Sequence, residues 1–268
     1  MTIYEEAHAD VASPTSEATG RTLADDYPTV EELRRALPGL ILAHNLHGVD
    51  IDARCAQIAQ LALWMRAQRA YRDLGIARAE RRPIRRSNII VAEPLVADEQ
   101  IAQEFVARLG DPALGQVFMT LVDALKLAGD MGLLLRVEKL VSRRIEKGRT
   151  GDLFAPPEQR IREVLDRFAR EEGVRASTRR RLFADDAAQG LGLLAIAEKK
   201  YDAVLMNPPF GDASLHGKST FDKLYPRSRA DLLAAFVERG AELLVTQGRL
   251  GAITSRTAFF LTSFEKWR

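Results

Sequence analysis

The sequence is poor in the residues that build disulfide frameworks and metal centres. Its 268 residues include one cysteine, Cys55, which excludes a framework of paired cysteines. The four histidines are scattered and have no cysteine partners, so no metal site is predicted. No apolar run approaches the length of a membrane span or a signal peptide. These absences favour a cytoplasmic protein with no metal ion and no membrane partner.

The charge of the chain is nearly balanced, at a formal net value of +2, but the arginines are unevenly distributed. Basic clusters can contact phosphates, whereas solvated helix faces carry the same pattern, and both interpretations stay open. The arginines form two clusters, and the acidic residues Asp73 and Glu80 lie among those of the first and reduce its net charge. The first cluster comprises Arg66, Arg69, Arg72, Arg78, Arg81, Arg82, Arg85 and Arg86, and the second comprises Arg175, Arg179, Arg180 and Arg181.

The length fits one large α/β domain interrupted by an insertion. Residues 1–28 are a polar connector, and residues 29–95 form the first part of the α/β domain. Residues 96–200 carry helical patterns, among them the stripe of Ile101, Phe105 and Leu109, and they are too long for a simple crossover between strands. We therefore predict a helical insertion there. Residues 201–268 form the second part of the domain, and their polar segment 212–228 is a candidate mobile flap.

The most informative motif is Asn207-Pro208-Pro209-Phe210, which follows the apolar run 203–206. The run is typical of a short strand buried on both faces. A side-chain oxygen on Asn207 and the carbonyl of Pro208 are two acceptors that can bind both hydrogens of a planar amino group. Such bonds localise the nitrogen lone pair, which is otherwise delocalised into the ring, and they lie where positive charge develops. The motif therefore predicts methylation of a planar amine.

Proline gives this loop its rigidity, because it fixes φ and restricts the residue before it. Phe210 then offers an apolar face on which an extrahelical base can stack, a contact worth roughly 1–3 kcal/mol. A structural alternative is open at this stage. The four residues can also be an ordinary loop after a strand, with Phe210 turned into the core.

A second motif lies near the start of the domain. Residues 46–51 are predicted as a strand with the acidic residue Asp50 near its end. Residues 53–72 are predicted as a helix that Asp52 caps. An acid at the tip of such a strand in a doubly wound sheet accepts hydrogen bonds from ribose hydroxyls. Enzymes that bind NAD share this acid, but no Gly-x-Gly-x-x-Gly spacing precedes it here. The helix is predicted from the spacing of Ile58, Leu61, Ala62 and Met65.

Together these segments resemble the amino methyltransferases that use S-adenosylmethionine, and among them the adenine-specific DNA methyltransferases. The similarity is greatest to the large enzymes of phage-exclusion (BREX) and fused restriction-modification systems. It implies a Rossmann-like class I methyltransferase sheet, double-stranded DNA as partner, and other subunits of a defence system as further partners. The segments that carry it are residues 45–52, 88–94, 206–211 and 264–268.

The resemblance also assigns roles to residues. Asp50 would bind the cofactor's ribose, Ile51 would pack on its adenine, and Glu93, after the predicted strand 88–92, would bind the adenine amino group. Asp185 or Asp186 could take the role of Glu93 instead. The catalytic set is Asn207, Pro208, Pro209 and Phe210.

In the resembling family, a first strand and a Gly-rich loop come before the acid that corresponds to Asp50, and the loop approaches the methionine part of the cofactor. No such loop precedes Asp50 in this sequence. The resemblance therefore implies a central fragment with an incomplete sheet, inactive alone. Without the central strand, the strands ending at Asp50 and Met206 are expected to pair imperfectly or to leave edges exposed. Two other functions stay open. One is a non-catalytic module that binds DNA or partner subunits, and the other is an amino methyltransferase acting on RNA or on protein glutamine.

Overall fold

The computed structural model describes residues 2–16, 19–81, 84, 87–92, 99–147, 160–161, 163–164 and 176–254. The chain is a mixed α/β protein, as predicted, and it divides into two compact units, Met1–Ile89 and Ile90–Arg268. Several predicted features lie outside the described residues. They are Glu93, the segment 264–268, and Arg82, Arg85, Arg86 and Arg175 of the basic clusters.

The first unit is built from helices and one short strand. Its helices are α1 (Thr2–Ala9), α2 (Leu23–Asp26), α3 (Val30–Leu40) and α4 (Ala53–Asp73). A π-helical turn, Ile41–Asn45, joins α3 to strand β1 (His47–Asp50). β1 forms a two-stranded sheet with β2 (Asn88–Val91), the strand in which the first unit ends and the second begins.

Helix α4 confirms the helix predicted from the second motif. Asp52 is its N-cap, and its side chain accepts a hydrogen bond from the Arg54 N–H at 2.8 Å. Hydrogen bonds from Arg54 lower the pKa of the Asp52 carboxyl to about 2. The apolar stripe that predicted the helix is not the face that packs, however. Ile58 and Leu61 are exposed, whereas Ala56, Ala67 and Tyr71 are buried.

The second unit begins with the predicted helical region. Its helices are α5 (Glu99–Leu109), α6 (Pro112–Leu125), α7 (Ala128–Met131), α8 (Val137–Lys147) and α9 (Ala176–Glu198), with a 3-10 turn at Gly132–Leu135. The rings of Phe105 and Phe118 lie 4.7 Å apart, and that of Phe183 lies within 6.0 Å of both. These three aromatic side chains form the core that joins α5, α6 and α9.

The rest of the second unit is a βαβ arrangement. Strand β3 (Tyr201–Met206) pairs in parallel with β4 (Leu244–Ala252). Helix α10 (Lys218–Leu224) and helix α11 (Leu232–Glu242) lie between them in sequence. The parallel pair requires such a crossover, and α11 provides it by packing on the strands.

Two interpretations of this region were wrong. Strand β3 is not buried on both faces: α11 covers the face of Val204 and Met206, while Leu205 points to the opposite face and is 85% exposed. Successive side chains of a strand point to opposite faces of the sheet. All residues of an apolar run are therefore buried only where another layer packs on each face. The segment 212–228 is not a free flap, because Phe221 and Ser228 are fully buried and anchor it.

Candidate active site

The four residues 207–210, called the reaction loop from here on, leave the carboxyl end of β3. This is the edge at which open α/β sheets bind their ligands. Pro208 is buried, whereas Asn207 is exposed and Phe210 is 54% exposed. Phe210 is therefore not turned into the core, as the structural alternative for this loop required. The Asn207 amide and the Phe210 ring are thus accessible to solvent, and Pro208 between them is buried.

The entrance of the reaction loop is fixed by the neighbouring strand. Met206 pairs with Ala252 in the parallel register, and the N–H of Ile253 donates to the Met206 carbonyl at 3.0 Å. The pairing with β4 thus continues to the residue that directly precedes Asn207. Asn207 consequently starts from a defined backbone position.

The exit of the loop is fixed by a residue that sequence reasoning missed. The N–H of Gly211 donates to the Asp231 carboxylate at 3.1 Å, and the N–H of Leu232 donates to the Gly211 carbonyl at 2.8 Å. Gly211 has a φ of +100°, a conformation that favours glycine. Aspartate before an apolar helix does predict an N-cap. No local pattern predicts its contact with a glycine twenty positions earlier.

Asp50 and Ile51, two of the residues predicted to bind the cofactor, lie in the first unit, and the reaction loop lies in the second. Asp50 is the exposed last residue of β1, and its carboxylate accepts a hydrogen bond from the Asp52 N–H at 2.9 Å. Ile51 is 61% exposed. Asp185 and Asp186 lie within α9, not after a strand.

The arginines described in the first cluster are divided between solvent and structure. Arg69 and Arg72 are exposed, and both approach the carboxylate of Asp73. Arg81, by contrast, donates to the carbonyl of Ile76 and to the side chain of Gln68. Arg81 therefore holds the end of α4, while Arg69 and Arg72 remain candidates for phosphate contact.

The described part of the chain has neither the residues of a metal centre nor the helix of a membrane span. No group of histidine, cysteine, aspartate and glutamate side chains there could hold a metal ion. No helix there has both the length and the apolar character needed to cross a membrane.

This chain is similar to known proteins over most of its length. A sequence model of the Eco57I restriction-modification methylase family matches residues 44–268. The chain belongs to this family. It is also similar to the adenine-specific methyltransferase BrxX of Escherichia coli O9:H4 (strain HS), with 28% identity over 242 residues. That match covers 87% of this chain and 19% of BrxX, so the chain spans about a fifth of that relative's length.

The family match confirms the resemblance deduced from the sequence motifs. It begins just before β1 and includes Asp50, the helical region and the reaction loop. All four segments that carry the resemblance therefore lie inside the region that matches the Eco57I methylase family.

Proposed function

We propose that this chain carries the reaction centre of an enzyme that transfers a methyl group from S-adenosylmethionine to the N6 amino group of adenine in double-stranded DNA. One observation supports this most strongly. The reaction loop is held at both ends, at the carboxyl end of β3, with Asn207 and Phe210 exposed and Pro208 buried. Amino methylation requires hydrogen-bond acceptors that are already in position, here beside the accessible aromatic ring of Phe210.

In this mechanism the adenine amino group lies against the reaction loop. One of its hydrogens is bound by the side-chain oxygen of Asn207 and the other by the carbonyl of Pro208. The nitrogen lone pair would then be directed out of the ring plane, toward the methyl carbon that S-adenosylmethionine would supply. As the nitrogen–carbon bond formed, the methyl–sulfur bond would break and the sulfur would leave as a neutral thioether. Positive charge develops on the nitrogen next to two fixed acceptors, and one proton leaves afterwards to solvent. Phe210 holds the extrahelical base by stacking.

S-adenosylmethionine, when bound, supplies the methyl group on a sulfonium sulfur. The residues of the first unit fit its nucleoside part. The Asp50 carboxylate is exposed at a strand tip and oriented by the Asp52 N–H, as a ribose acceptor must be. Ile51 offers an exposed apolar side chain on which adenine can pack. Glu93 is assigned to the adenine amino group on the resemblance alone.

The wider context of the proposal rests on the family. The parallel βαβ unit of β3, α11 and β4 supports a Rossmann-like class I methyltransferase fold. The family name and the similarity to BrxX support a role in restriction-modification or phage defence. We accordingly propose a cytoplasmic enzyme that acts on DNA together with other subunits of a defence system.

The test is methyl transfer by the natural gene product that carries this sequence, using a labelled methyl donor and duplex DNA. We expect N6-methyladenine as the product. Asn207→Ala should lower the rate by about 100-fold to 1000-fold, as the loss of one preorganised hydrogen-bonding partner does, with cofactor affinity nearly unchanged. The matched control is Asp202→Ala on the preceding strand β3, where the side chain is exposed, and its rate should stay at the wild-type value.

Each alternative gives a different result in this experiment. Transfer only to RNA or to a protein glutamine would overturn the DNA assignment but keep the role of Asn207. Binding of duplex DNA without any transfer would identify a non-catalytic module. Normal turnover by Asn207→Ala would overturn the amino-methylation mechanism itself.

A further inference from the structure

We propose that Asp231 is a positioning residue: its carboxylate fixes the reaction loop in the geometry that methyl transfer requires. The inference deepens the proposed function and rests on it. Asp231 itself would not touch the substrate, and its effect passes through Gly211 and the backbone of the loop.

The composition of the loop makes its backbone donors scarce. Pro208 and Pro209 have no N–H, so Phe210 and Gly211 carry the first donors after Asn207 that can attach the loop to the rest of the fold. The Gly211 donor goes to Asp231 at 3.1 Å. The Leu232 N–H returns a bond to the Gly211 carbonyl at 2.8 Å. Two hydrogen bonds of opposite direction thus join the end of the loop to the start of α11.

The acceptor is itself firmly placed. The same oxygen of Asp231 that receives the Gly211 bond also accepts from the Leu233 N–H at 2.9 Å and so caps α11. The backbone N–H of Asp231 donates to the carbonyl of Ser228 at 3.2 Å. Ser228 is fully buried, and its hydroxyl donates to Glu238 of the same helix. The carboxylate is therefore fixed relative to α11.

Both ends of the reaction loop are consequently tied to rigid elements. β4 holds Met206 at the entrance, and Asp231 holds Gly211 at the exit. If the exit is released, the Pro208 carbonyl and the Asn207 amide can move relative to each other. A displacement of about 1 Å from the productive geometry can cost about 100-fold in rate.

Three substitutions separate positioning from helix capping. Asp231→Ala removes the two hydrogen bonds that the carboxylate accepts, from the N–H groups of Gly211 and Leu233. Asp231→Ser keeps a good N-cap residue. Its hydroxyl oxygen lies one bond closer to the backbone than the carboxylate oxygen does, so we expect the hydrogen bond from the Gly211 N–H to be lost. Asp231→Asn keeps an acceptor oxygen at the same distance, with weaker bonds because the charge is lost.

The matched control is Asp111, which caps α6 of the same unit. Its carboxylate accepts from the N–H groups of Ala113 and Leu114, and it also pairs with Arg160 at 3.3 Å. Asp111→Ala therefore removes a comparable cap at a site that has no contact with Gly211 among the described contacts. It should lower stability and leave the reaction loop unchanged.

The first measurement is hydrogen exchange at the Gly211 amide in the full chain. We expect exchange to accelerate by about tenfold or more in Asp231→Ala and Asp231→Ser, because the amide loses its acceptor. Asp231→Asn and Asp111→Ala should stay near the wild-type rate. Unchanged exchange in Asp231→Ala would overturn the proposal, whether or not the protein transfers methyl groups.

The second measurement is methyl transfer by the natural gene product that carries this sequence. Asp231→Ala and Asp231→Ser should lower kcat by about 10-fold to 100-fold with little change in KM for S-adenosylmethionine, and Asp231→Asn should restore most of kcat. A wild-type kcat in Asp231→Ala would overturn the positioning role while the proposed function stands. If the wild-type protein transfers no methyl group, the proposed function fails, and the exchange result alone decides whether Asp231 fixes the loop.

Discussion

Gly240 of α11 lies directly against Met206, the last residue of β3. A Cβ atom at position 240 would lie 2.3 Å from the Met206 Cε and 2.7 Å from the Leu250 Cδ1. The missing side chain at this position lets α11 pack closely on both strands. The contact is made with the end of the Met206 side chain, and Met206 is the residue that directly precedes the reaction loop.

We predict that Gly240→Ala lowers the free energy of unfolding by about 1–2 kcal/mol. Overpacking costs about 1–3 kcal/mol, and the better helix propensity of alanine offsets up to about 1 kcal/mol of that. Gly39→Ala is the matched control in α3, because a Cβ there would meet only the Tyr71 hydroxyl, at 3.5 Å. The control should be neutral or slightly stabilising in urea unfolding. Equal effects of the two substitutions would contradict the close contact at Gly240.

A second prediction concerns the buried ion pair between Arg239 of α11 and Glu138 of α8. Arg239 is 3% exposed and lies 2.9 Å from the Glu138 carboxylate of α8, an ion pair without good hydrogen-bond geometry. It also pairs with Glu242 at 3.3 Å and donates to the Leu133 carbonyl. Arg239→Met should lower the free energy of unfolding by about 3–5 kcal/mol, because the Glu138 charge stays buried without this cation.

Two further variants check that explanation. Adding Glu138→Leu to Arg239→Met should recover most of the loss, since an apolar pair avoids the cost of burying charge. Arg54→Met is the exposed comparison: the side chains of Arg54 and Asp52 are 86% and 37% exposed, and the loss should stay below about 1 kcal/mol. Similar losses for Arg239→Met and Arg54→Met would show that the buried pair contributes no more than a surface pair.

The elements that the sequence predicted are those whose signals are local. The N-cap Asp52 and the helical spacing after it predict α4, and the apolar run before Asn207 predicts β3. The backbone rigidity of the reaction loop and its hydrogen-bonding groups can also be derived from the sequence, because residue type specifies them. Each of these signals lies within a few residues of the structure it predicts.

The remaining features depend on contacts between distant residues. The sequence after Leu250 is typical of a strand, whereas β4 already begins at Leu244. Its first half contains Gln247, with a φ of +67°, and Gly248, which look like a turn in sequence. The register shift opposite β3 accommodates them, and only the partner strand determines that shift. The exposure of Leu205 likewise depends on which layers cover the sheet, and an apolar run does not carry that information.

A third prediction follows from Tyr201, the first residue of β3. Its hydroxyl donates to the Ile196 carbonyl at 3.0 Å, and burial raises the pKa of the phenol to about 12. The unfolded phenol has a pKa of about 10, so the fold binds a proton more tightly between these values. The stabilisation is complete below about pH 10 and is lost as the pH rises through about 12.

Tyr201→Phe isolates this contribution. The variant should be less stable than the wild type by about 0.5–1.5 kcal/mol near pH 8, because it lacks the hydrogen bond to Ile196. The difference in the free energy of unfolding should shrink as the pH rises from about 10 to about 12. Tyrosinate absorbance of the folded protein supplies the independent titration. A difference that stays constant across this pH range would contradict the raised pKa.

The last prediction separates a DNA enzyme from other amino methyltransferases through Phe210. An adenine inside duplex DNA must leave the stack to reach Asn207, and the half-exposed ring of Phe210 is placed to hold it. A duplex with 2-aminopurine at the target position should brighten when the natural gene product binds, because unstacking relieves quenching. Stacking on Phe210 re-quenches part of that signal. Phe210→Ala should therefore bind the duplex more weakly, by about 1–3 kcal/mol, and give a brighter signal. Leu215→Ala is the control, since it removes another exposed apolar side chain outside the reaction loop and should leave both readings unchanged. A dimmer or unchanged signal in Phe210→Ala would show that the base does not stack on this ring.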